Sequence, residues 1–244
     1  MEREIQKLTW TAIKKLVPDT INTILLPVGT VEAHGPSAIG TDNYIPEAIA
    51  HLQADRLNAL IAPTLPYGIT RSLYRYPGSI TIQPKNYAPF VADILDSLAD
   101  HGFRHLIVLN GHGGNNNALK EAAYDVHYRR QVYIAVIHWW QLVSEVTKEH
   151  FGQVGGHGGI DETACVQAID PALVNKGEYT EKMAYQMTGG ADVFPVPGSI
   201  LIYTEGEGFP NFDLEQARTY LPKVADSVGD FVLSVIDRWK QIDK

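Results

Sequence analysis

Four of the nine histidines in the 244-residue chain stand next to glycine. His101 lies in a predicted helix, and the other three are His34, His112 and His157. Glycine allows a sharp backbone turn and lets a ligand or a metal ion come close to the chain. Imidazole binds zinc, manganese and iron, and it transfers protons near neutral pH. We therefore expect these three histidines to take part in metal binding or proton transfer.

Carboxylates accompany the first of these histidines. Glu32 lies two residues before His34, and Asp42 follows shortly after. In an extended segment residues i and i+2 point to the same side, so Glu32 and His34 can converge on one ion. With Cys165 as the single cysteine, the predicted ligands are oxygen and nitrogen, which suits zinc, manganese or iron. The alternative is that Glu32 and His34 only satisfy backbone groups of a loop.

The other two histidines lie in glycine-rich turns. His112 is at the centre of segment 110–115, which lacks the lysine and the spacing of a phosphate-binding loop, so metal binding or general-base catalysis is favoured. Glu162 follows His157 closely and is a candidate ligand. Asp161 and Glu162 also suit the first turn of a helix, where acidic side chains interact favourably with the helix dipole. For Asp161 we expect no other role.

The elements that position these residues alternate along the chain. Short β-branched segments alternate with longer helical patterns, which predicts an α/β fold with a mostly parallel central sheet. The predicted strands are 23–28, 60–62, 79–82, 105–109 and 132–137, and the predicted helices are 46–57, 87–101, 117–130, 163–169 and 214–239. Glu32 and His112 closely follow strands, and ligands of open α/β sheets bind beyond the carboxyl ends of the strands.

The remaining segments complete this prediction. Residues 175–208 are rich in glycine and proline, and we expect a lid or an oligomer contact there rather than a second domain. Residues 1–244 are therefore predicted to form a single domain. Trp139 and Trp140 are expected in the core.

Composition excludes several classes of protein. Hydrophobic residues make up 45% of the chain, which argues against intrinsic disorder. The net charge of −8 argues against nucleic-acid binding. No apolar run reaches the roughly 20 residues of a membrane helix. The charged amino-terminal segment and the single cysteine favour a cytoplasmic protein with a small-molecule substrate.

Taken together and in order, the motifs resemble the creatininase (creatinine amidohydrolase) family. They are segments 26–36 (LPVGTVEAHGP), 40–42 (GTD), 76–80 (YPGSI), 110–115 (NGHGGN), 156–157 (GH) and 162–163 (ET). The resemblance implies a dinuclear metallohydrolase with a single-domain, three-layer α/β/α fold. It also implies an enzyme that opens cyclic amides or related C–N bonds and is often a hexamer.

The resemblance also implies roles for particular residues. Glu32, Asp42 and His112 would hold one divalent ion, and His34, Asp42 and Glu162 would hold the other. Glu162 is chosen because Gly114 stands where creatininase itself has a glutamate ligand, and relatives with the glycine-type motif use the later glutamate. His157 matches a histidine placed for proton transfer. The implied ions are zinc or manganese, with iron as a further option.

Two departures from the family pattern affect the pocket wall. Segment 35–42 is one residue shorter than is usual and lacks a histidine. Arg71 and Arg75 occupy a loop where relatives often have a histidine. Either both arginines are solvated or paired at the surface, or at least one faces the pocket and binds an anionic substrate group. In both cases creatinine is not the expected substrate.

The resulting functional prediction is a metal-dependent amidohydrolase. It would cleave a C–N bond of a cyclic amide or formamide-type molecule through a metal-activated water. Alternatives are hydrolysis of an inosose-type ring, a peptide-maturation activity, and a non-catalytic metal-stabilised binding protein. Structural zinc sites are usually closed and four-coordinate, so five dispersed ligands favour the catalytic interpretation.

Overall fold

A four-stranded parallel sheet forms the centre of the computed structural model, which describes residues 1–242. The strands are β1 (Thr23–Val28), β2 (Ala59–Ile61), β3 (His105–Asn110) and β4 (Tyr133–His138), in the order β2-β1-β3-β4. β1 and β3 pair in register from Thr23 opposite His105 to Val28 opposite Asn110. A second, two-stranded parallel sheet joins β5 (Ala184–Gln186) and β6 (Ile200–Ile202).

Helices cover both faces of the central sheet. They are α1 (Trp10–Leu16), α2 (Thr41–Gln53), α3 (Pro84–Asp100), α4 (Asn116–Arg130), α5 (Trp139–Leu142), α6 (Ser144–Phe151), α7 (Ile160–Ile169) and α8 (Leu214–Ile242). Successive strand residues point to opposite faces. Leu25 and Ile107 pack in the core that includes α2, α7 and α8, whereas Ile24, Leu26 and Leu106 pack in the core that includes α3 and α4. The predicted three-layer architecture with a mostly parallel central sheet is confirmed.

One predicted strand is wrong. Residues 79–82 form only isolated bridges, in which the Ile80 amide donates to Val31 and the Ile82 amide donates to Gly68. These partners lie in loops beyond the carboxyl edge of the sheet rather than in strands. A β-ladder needs an extended partner over several residues, so a β-branched segment beside loops makes single bridges instead.

The predicted start of α2 is wrong. We predicted a start at Pro46, but the helix begins at Thr41 and contains Pro46. Proline lacks an N–H, so the Asp42 carbonyl loses its bond to residue 46. Two glycines of the neighbouring turns pack against this carbonyl. A methyl group built on Gly29 would lie 2.3 Å from the Asp42 oxygen, and one on Gly111 would lie 2.0 Å from it.

Other differences are smaller. The helices predicted at 87, 117 and 163 begin one to three residues earlier, at Pro84, Asn116 and Ile160. The sequence patterns did not predict α1, α5, α6, β5 or β6, which are short elements. Among the described residues, no helix combines the length and the apolar character needed to cross a membrane. The assignment of residues 1–244 to one domain stays a prediction.

Candidate metal centre

The predicted site residues meet beyond the carboxyl edge of the central sheet. The loop after β1 carries Glu32 and His34, and the turn after β3 carries His112. The first turn of α2 supplies Asp42, and the first turn of α7 supplies Glu162. All five side chains are buried. Parallel strands direct their following loops to one edge, which explains why residues far apart in sequence converge.

Asp42 is the centre of this cluster. Its Oδ1 lies 2.8 Å from His34 Nε2, and its Oδ2 lies 3.0 Å from His112 Nδ1. Glu32 Oε1 is 3.1 Å from His112 Nδ1, and Glu162 Oε2 is 3.6 Å from His34 Nε2. Two groups of three possible ligand atoms result, Glu32–Asp42–His112 and His34–Asp42–Glu162, each with its atoms within 4.8 Å of one another. Asp42 belongs to both groups.

Backbone carbonyls fix one ring nitrogen of each histidine. His34 Nδ1 donates to the Glu32 carbonyl at 3.0 Å, His112 Nε2 to the Ile69 carbonyl at 2.9 Å, and His157 Nε2 to the Ala33 carbonyl at 2.8 Å. A carbonyl oxygen only accepts, so these nitrogens carry the proton. The opposite nitrogens face the carboxylates. Metal-binding histidines are commonly oriented by such a second hydrogen bond.

Several atoms at the centre lack a hydrogen-bond partner among the described residues. They are Glu32 Oε2, His34 Nε2 and Asp42 Oδ2, all buried. His34 Nε2 is close to Asp42, yet the two groups are not aligned for a hydrogen bond. A buried polar atom without a partner is costly, and nitrogen and carboxylate oxygens that face one another suit a shared cation. The residues therefore fit a divalent metal centre with oxygen and nitrogen ligands.

Burial and mutual charge perturb the titration of these groups. Burial disfavours the charged imidazole of His34, but Asp42, Glu162 and Glu32 outweigh this effect and raise its pKa to about 10. Burial also raises the pKa of the Glu162 carboxyl well above its usual value. Protons thus compensate the clustered carboxylates in the metal-free protein, and a bound cation would displace them.

His157 is in a different electrostatic position. Its Nδ1 lies 3.5 Å from Glu32 Oε1, and its ring centroid lies 4.2 Å from that of His34. Burial, reinforced by the charge of His34, lowers the pKa of His157 to about 4. His157 also forms a third possible ligand group with Glu32 and His34. A neutral imidazole at this place can accept a proton or bind an ion.

Two asparagines that the sequence reasoning did not assign hold the turn around His112. The Asn110 side chain accepts from the His112 amide at 3.1 Å and donates to its carbonyl at 2.9 Å. The Asn115 side chain donates to the Gly29 carbonyl at 3.0 Å and accepts from the Ile69 amide at 2.9 Å. The signal was the presence of asparagine at both ends of segment 110–115.

A cavity of about 450 Å³ opens over the cluster. Trp139 is buried in the core as predicted, whereas Trp140 is partly buried against the same core and also lines the cavity. Asp161, for which we expected only a role in the first turn of a helix, is buried and also lines the cavity. Tyr203 and Thr204 from the segment after β6 contribute another part of the wall.

The structure does not support a pocket role for Arg71 or Arg75. Both side chains are exposed, and neither lines the cavity. The Arg75 guanidinium lies 5.0 Å from the centre of the Tyr74 ring. Within the described residues, no arginine or lysine lines the cavity. The described residues therefore give no support to the alternative that at least one arginine faces the pocket.

Comparisons with known proteins agree with the geometry. The chain is 29% identical to creatinine amidohydrolase of Pseudomonas putida over 212 residues, which cover 79% of this chain and 81% of that protein. It is 32% identical to a mycofactocin precursor peptide peptidase of Mycobacterium tuberculosis over 123 residues, or 46% of this chain and 49% of that protein. A 3-dehydro-scyllo-inosose hydrolase of Thermotoga maritima is 30% identical over 94 residues, or 37% of this chain and 30% of that protein.

Solved structures show the same fold. A crystal structure of creatinine amidohydrolase (creatininase) superposes with a TM-score of 0.82 at 24% identity, covering 95% of this chain and 96% of the other. A mutant creatininase described as Zn-Zn type and a creatininase described with Mn each give a TM-score of 0.81 at 24% identity, over 95% of this chain and 97% and 98% of theirs. A family model described as creatininase, creatinine amidohydrolase, matches residues 6–206, which is most of the sequence, and the chain therefore belongs to the creatininase family.

Proposed function

We propose that the protein is a metal-dependent amidohydrolase that cleaves a C–N bond of a cyclic amide or formamide-type small molecule. The observation that carries the proposal is the pair of buried ligand groups that share Asp42. Glu32, Asp42 and His112 would hold one ion, and His34, Asp42 and Glu162 would hold the other. Zinc and manganese, named for the solved creatininases, are the first ions to test, and iron is a further option.

Divalent ions at this place would lower the pKa of a water molecule and polarise the amide carbonyl that it attacks. The three carboxylates provide negative charge for two cations, and Asp42 bridges the two groups. In the neutral rings that a bound ion requires, the carbonyls bonded to His34 Nδ1 and His112 Nε2 would hold the remaining proton and leave the opposite nitrogens for the ion. The chain thus supplies ligands whose orientation does not depend on the ion.

His157 is proposed to transfer the proton. Its Nε2 donates to the Ala33 carbonyl at 2.8 Å, so the lone pair of Nδ1 is directed to the cluster. This nitrogen can take a proton from the attacking water and deliver it to the leaving nitrogen. The ring packs against that of His34, with the two ring centroids 4.2 Å apart. We propose His157 as the catalytic residue, and Glu32, His34, Asp42, His112 and Glu162 as the ligands.

The cavity supports a small substrate without a required anionic group. Its volume of about 450 Å³ is within the range of small-molecule sites. Trp140, Leu73 and Leu201 supply apolar surface, and Ser144, Thr204 and Gln141 supply neutral hydrogen-bonding groups. No arginine or lysine among the described lining residues is available to bind a carboxylate or a phosphate.

The central experiment combines metal content with hydrolysis. Purified wild type, Asp42→Ala and Asp42→Asn are loaded with zinc or manganese, and bound metal per chain is measured by mass spectrometry. We expect the Asp42 variants to lose more metal than any other single substitution and to lose activity by at least about 10³-fold. Equal metal content in wild type and both variants would refute the shared-ligand arrangement.

The substrate panel separates the alternatives. Lactams, creatinine, formamides, inososes and short peptides are offered to the metal-loaded protein. Hydrolysis of lactams or formamides supports the proposal. Turnover of inososes or peptides alone would instead mean that this site catalyses the hydrolysis named for the other relatives. Full metal loading without turnover of any class would favour the binding-protein alternative.

We also propose a homo-oligomer, and a hexamer is expected from the family resemblance. Large aromatic side chains are exposed on two helices, Phe90 on α3 and Tyr124 and Tyr128 on α4, and such surface often mediates association. Sedimentation at micromolar concentration tests this expectation. A monomer under these conditions would contradict it.

A further inference from the structure

The loop that carries His157 is attached to two consecutive acidic residues of α7. The amide of Gly156 donates to Asp161 Oδ1 at 3.0 Å. The amide of Gly158 donates to Glu162 Oε2 at 2.6 Å. The residues on both sides of His157 are thus held by side chains from the first turn of the next helix.

Asp161 is distinguished from Glu162 by what else it touches. It is 4% exposed, and it belongs to none of the three possible ligand groups. Glu162 belongs to one of them, so an ion would share its oxygens with the Gly158 amide. Within the described residues, the hydrogen bond from the Gly156 amide to Asp161 does not compete with metal binding by any of these ligand groups.

Close packing fixes the geometry of this contact. A methyl group built on Gly155 would lie 2.1 Å from Asp161 Oδ2, so the carboxylate rests directly against the glycine backbone. On the other side of the loop, the Leu201 amide donates to the His157 carbonyl at 2.8 Å. The backbone of residues 155–157 is thereby held between Asp161 and β6.

The position of this backbone decides where the His157 ring lies. Within the described residues the ring makes one hydrogen bond, from Nε2 to the Ala33 carbonyl, and its Nδ1 is 3.5 Å from Glu32 Oε1. A displacement of the loop by 1 Å or so would break the first contact and turn the second away from the cluster. Small misplacements of catalytic groups commonly cost large factors in rate.

We propose that Asp161 is a positioning residue, whose Oδ1 holds the Gly156 amide and so keeps the His157 ring in place beside Glu32. The proposal rests on the proposed amidohydrolase function, in which His157 transfers the proton. The required property of Asp161 is a hydrogen-bond acceptor at Oδ1. Asparagine supplies the same acceptor without the charge, whereas alanine supplies none.

The test uses the zinc-loaded full chain and four variants. Asp161→Asn keeps the acceptor, and Asp161→Ala removes it. Gly155→Ala pushes against Asp161 from the loop side. Asp170→Ala is the matched control, because Asp170 likewise accepts from a backbone amide, that of Ala172 at 2.9 Å, at the other end of the same helix.

The kinetic readout separates turnover from binding. On the best lactam or formamide of the panel, we expect Asp161→Ala and Gly155→Ala to lower kcat by about 10–100-fold, with KM within about twofold and zinc content unchanged. Asp161→Asn and Asp170→Ala should stay close to wild type. An Asp161→Asn variant as impaired as Asp161→Ala, or an Asp161→Ala variant with normal kcat, would overturn the proposal.

A second readout does not depend on activity. The proton on His157 Nε2 is expected to give a slowly exchanging imidazole N–H resonance by NMR, identified by its loss in His157→Gln. Asp161→Asn should retain this resonance and Asp161→Ala should lose it to exchange with water. If no amide is hydrolysed but the resonances behave in this way, the proposed function fails and the positioning role stands. A resonance retained in Asp161→Ala, or in Gly155→Ala if that variant alone folds, contradicts the positioning role.

Discussion

The two edges of the central sheet each carry a cavity lined in part by charged groups, but they differ in how charge is arranged. At the carboxyl edge, a cavity of about 450 Å³ opens over Glu32, Asp42, His112 and Glu162. At the amino edge, a larger cavity of about 650 Å³ is lined by Arg56, Arg104, His105, Lys240 and neutral residues. By cavity volume alone, the amino edge would be the candidate functional site.

The partners of the charged groups reverse that choice. At the amino edge, Arg56 pairs with Asp230 and Lys240 pairs with Asp237 at 2.9 Å. At the carboxyl edge, buried carboxylates and imidazoles face one another, and three of their atoms have no hydrogen-bond partner among the described residues. Buried ligand-type atoms without hydrogen-bond partners indicate a ligand site more reliably than an open space where Arg56 and Lys240 are already paired.

The sharpest test of this comparison uses the two histidines at opposite ends of β3, His105 and His112. His105 begins β3 and His112 follows its end. We expect His112→Ala to lose bound metal and to lower kcat/KM by at least about 10³-fold, because it removes a proposed ligand. His105→Ala removes a ring that lies 3.2 Å from Thr23 Oγ1 and stacks on Trp239, so stability should fall while metal content per folded chain stays unchanged. Loss of metal from both variants would contradict the assignment to the carboxyl edge.

Metal removal tests the same contrast through stability. Ions that bind only the folded chain should stabilise it, by about 2.7 kcal/mol at a free concentration of about 100 times Kd. Thermal unfolding of wild type with zinc and with chelator measures the shift in Tm. Asp42→Ala should show a much smaller shift. A Tm that does not respond to zinc in wild type would mean that the cluster binds no ion.

A smaller effect is expected where the backbone of the site is packed. A methyl group on Gly111 would lie 2.0 Å from the Asp42 carbonyl oxygen and 3.1 Å from Pro46 Cδ. Gly111→Ala should lower the free energy of unfolding by about 1–3 kcal/mol and weaken metal binding, since Asp42 must shift. Gly189→Ala is the control, because nothing lies within 4 Å of the added methyl group. Chemical denaturation and metal titration compare the two variants, and equal effects would show that the Asp42 contact is unimportant.

The smallest effect is expected at the amino edge. Arg56→Ala removes a partly exposed ion pair with Asp230, which should change the free energy of unfolding by about 1 kcal/mol or less. Metal content and kcat/KM should remain those of wild type. A fall in either quantity without a loss of folded protein would connect the amino edge to the site and weaken the contrast.

The pattern of apolar residues predicted the layers, because a strand that is buried on both faces has apolar residues at nearly every position. β1 and β3 are continuous apolar segments that feed two cores, and such segments are typical of parallel strands between helices. The same logic placed Glu32 and His112 beyond the carboxyl ends of strands. Residues 79–82 instead alternate polar and apolar side chains, and their partners are loops, so β-branched residues alone did not show whether a neighbouring strand was present.

The residues of the cavity wall show where local reasoning stops. Trp140 lines the cavity although tryptophan most often lies in a core, and Arg71 and Arg75 face solvent although their loop is close to the site. Asp161 suited a helix start, and only the neighbouring loop reveals its contact with Gly156. The direction of each side chain depends on packing between elements far apart in sequence.

The sequence by itself determined the α/β layers, the two strand ends that carry polar turns, and the types of residue that could bind a metal ion, because these follow from burial period and side-chain chemistry. Only the tertiary structure decided that Asp42 lies between the two ligand groups, that carbonyls of Glu32, Ile69 and Ala33 set the histidine protons, and that Asp161 reaches the His157 loop. These contacts join residues whose distances are set by the packing of α2 and α7 against the sheet edge. No pattern within one segment encodes such a distance.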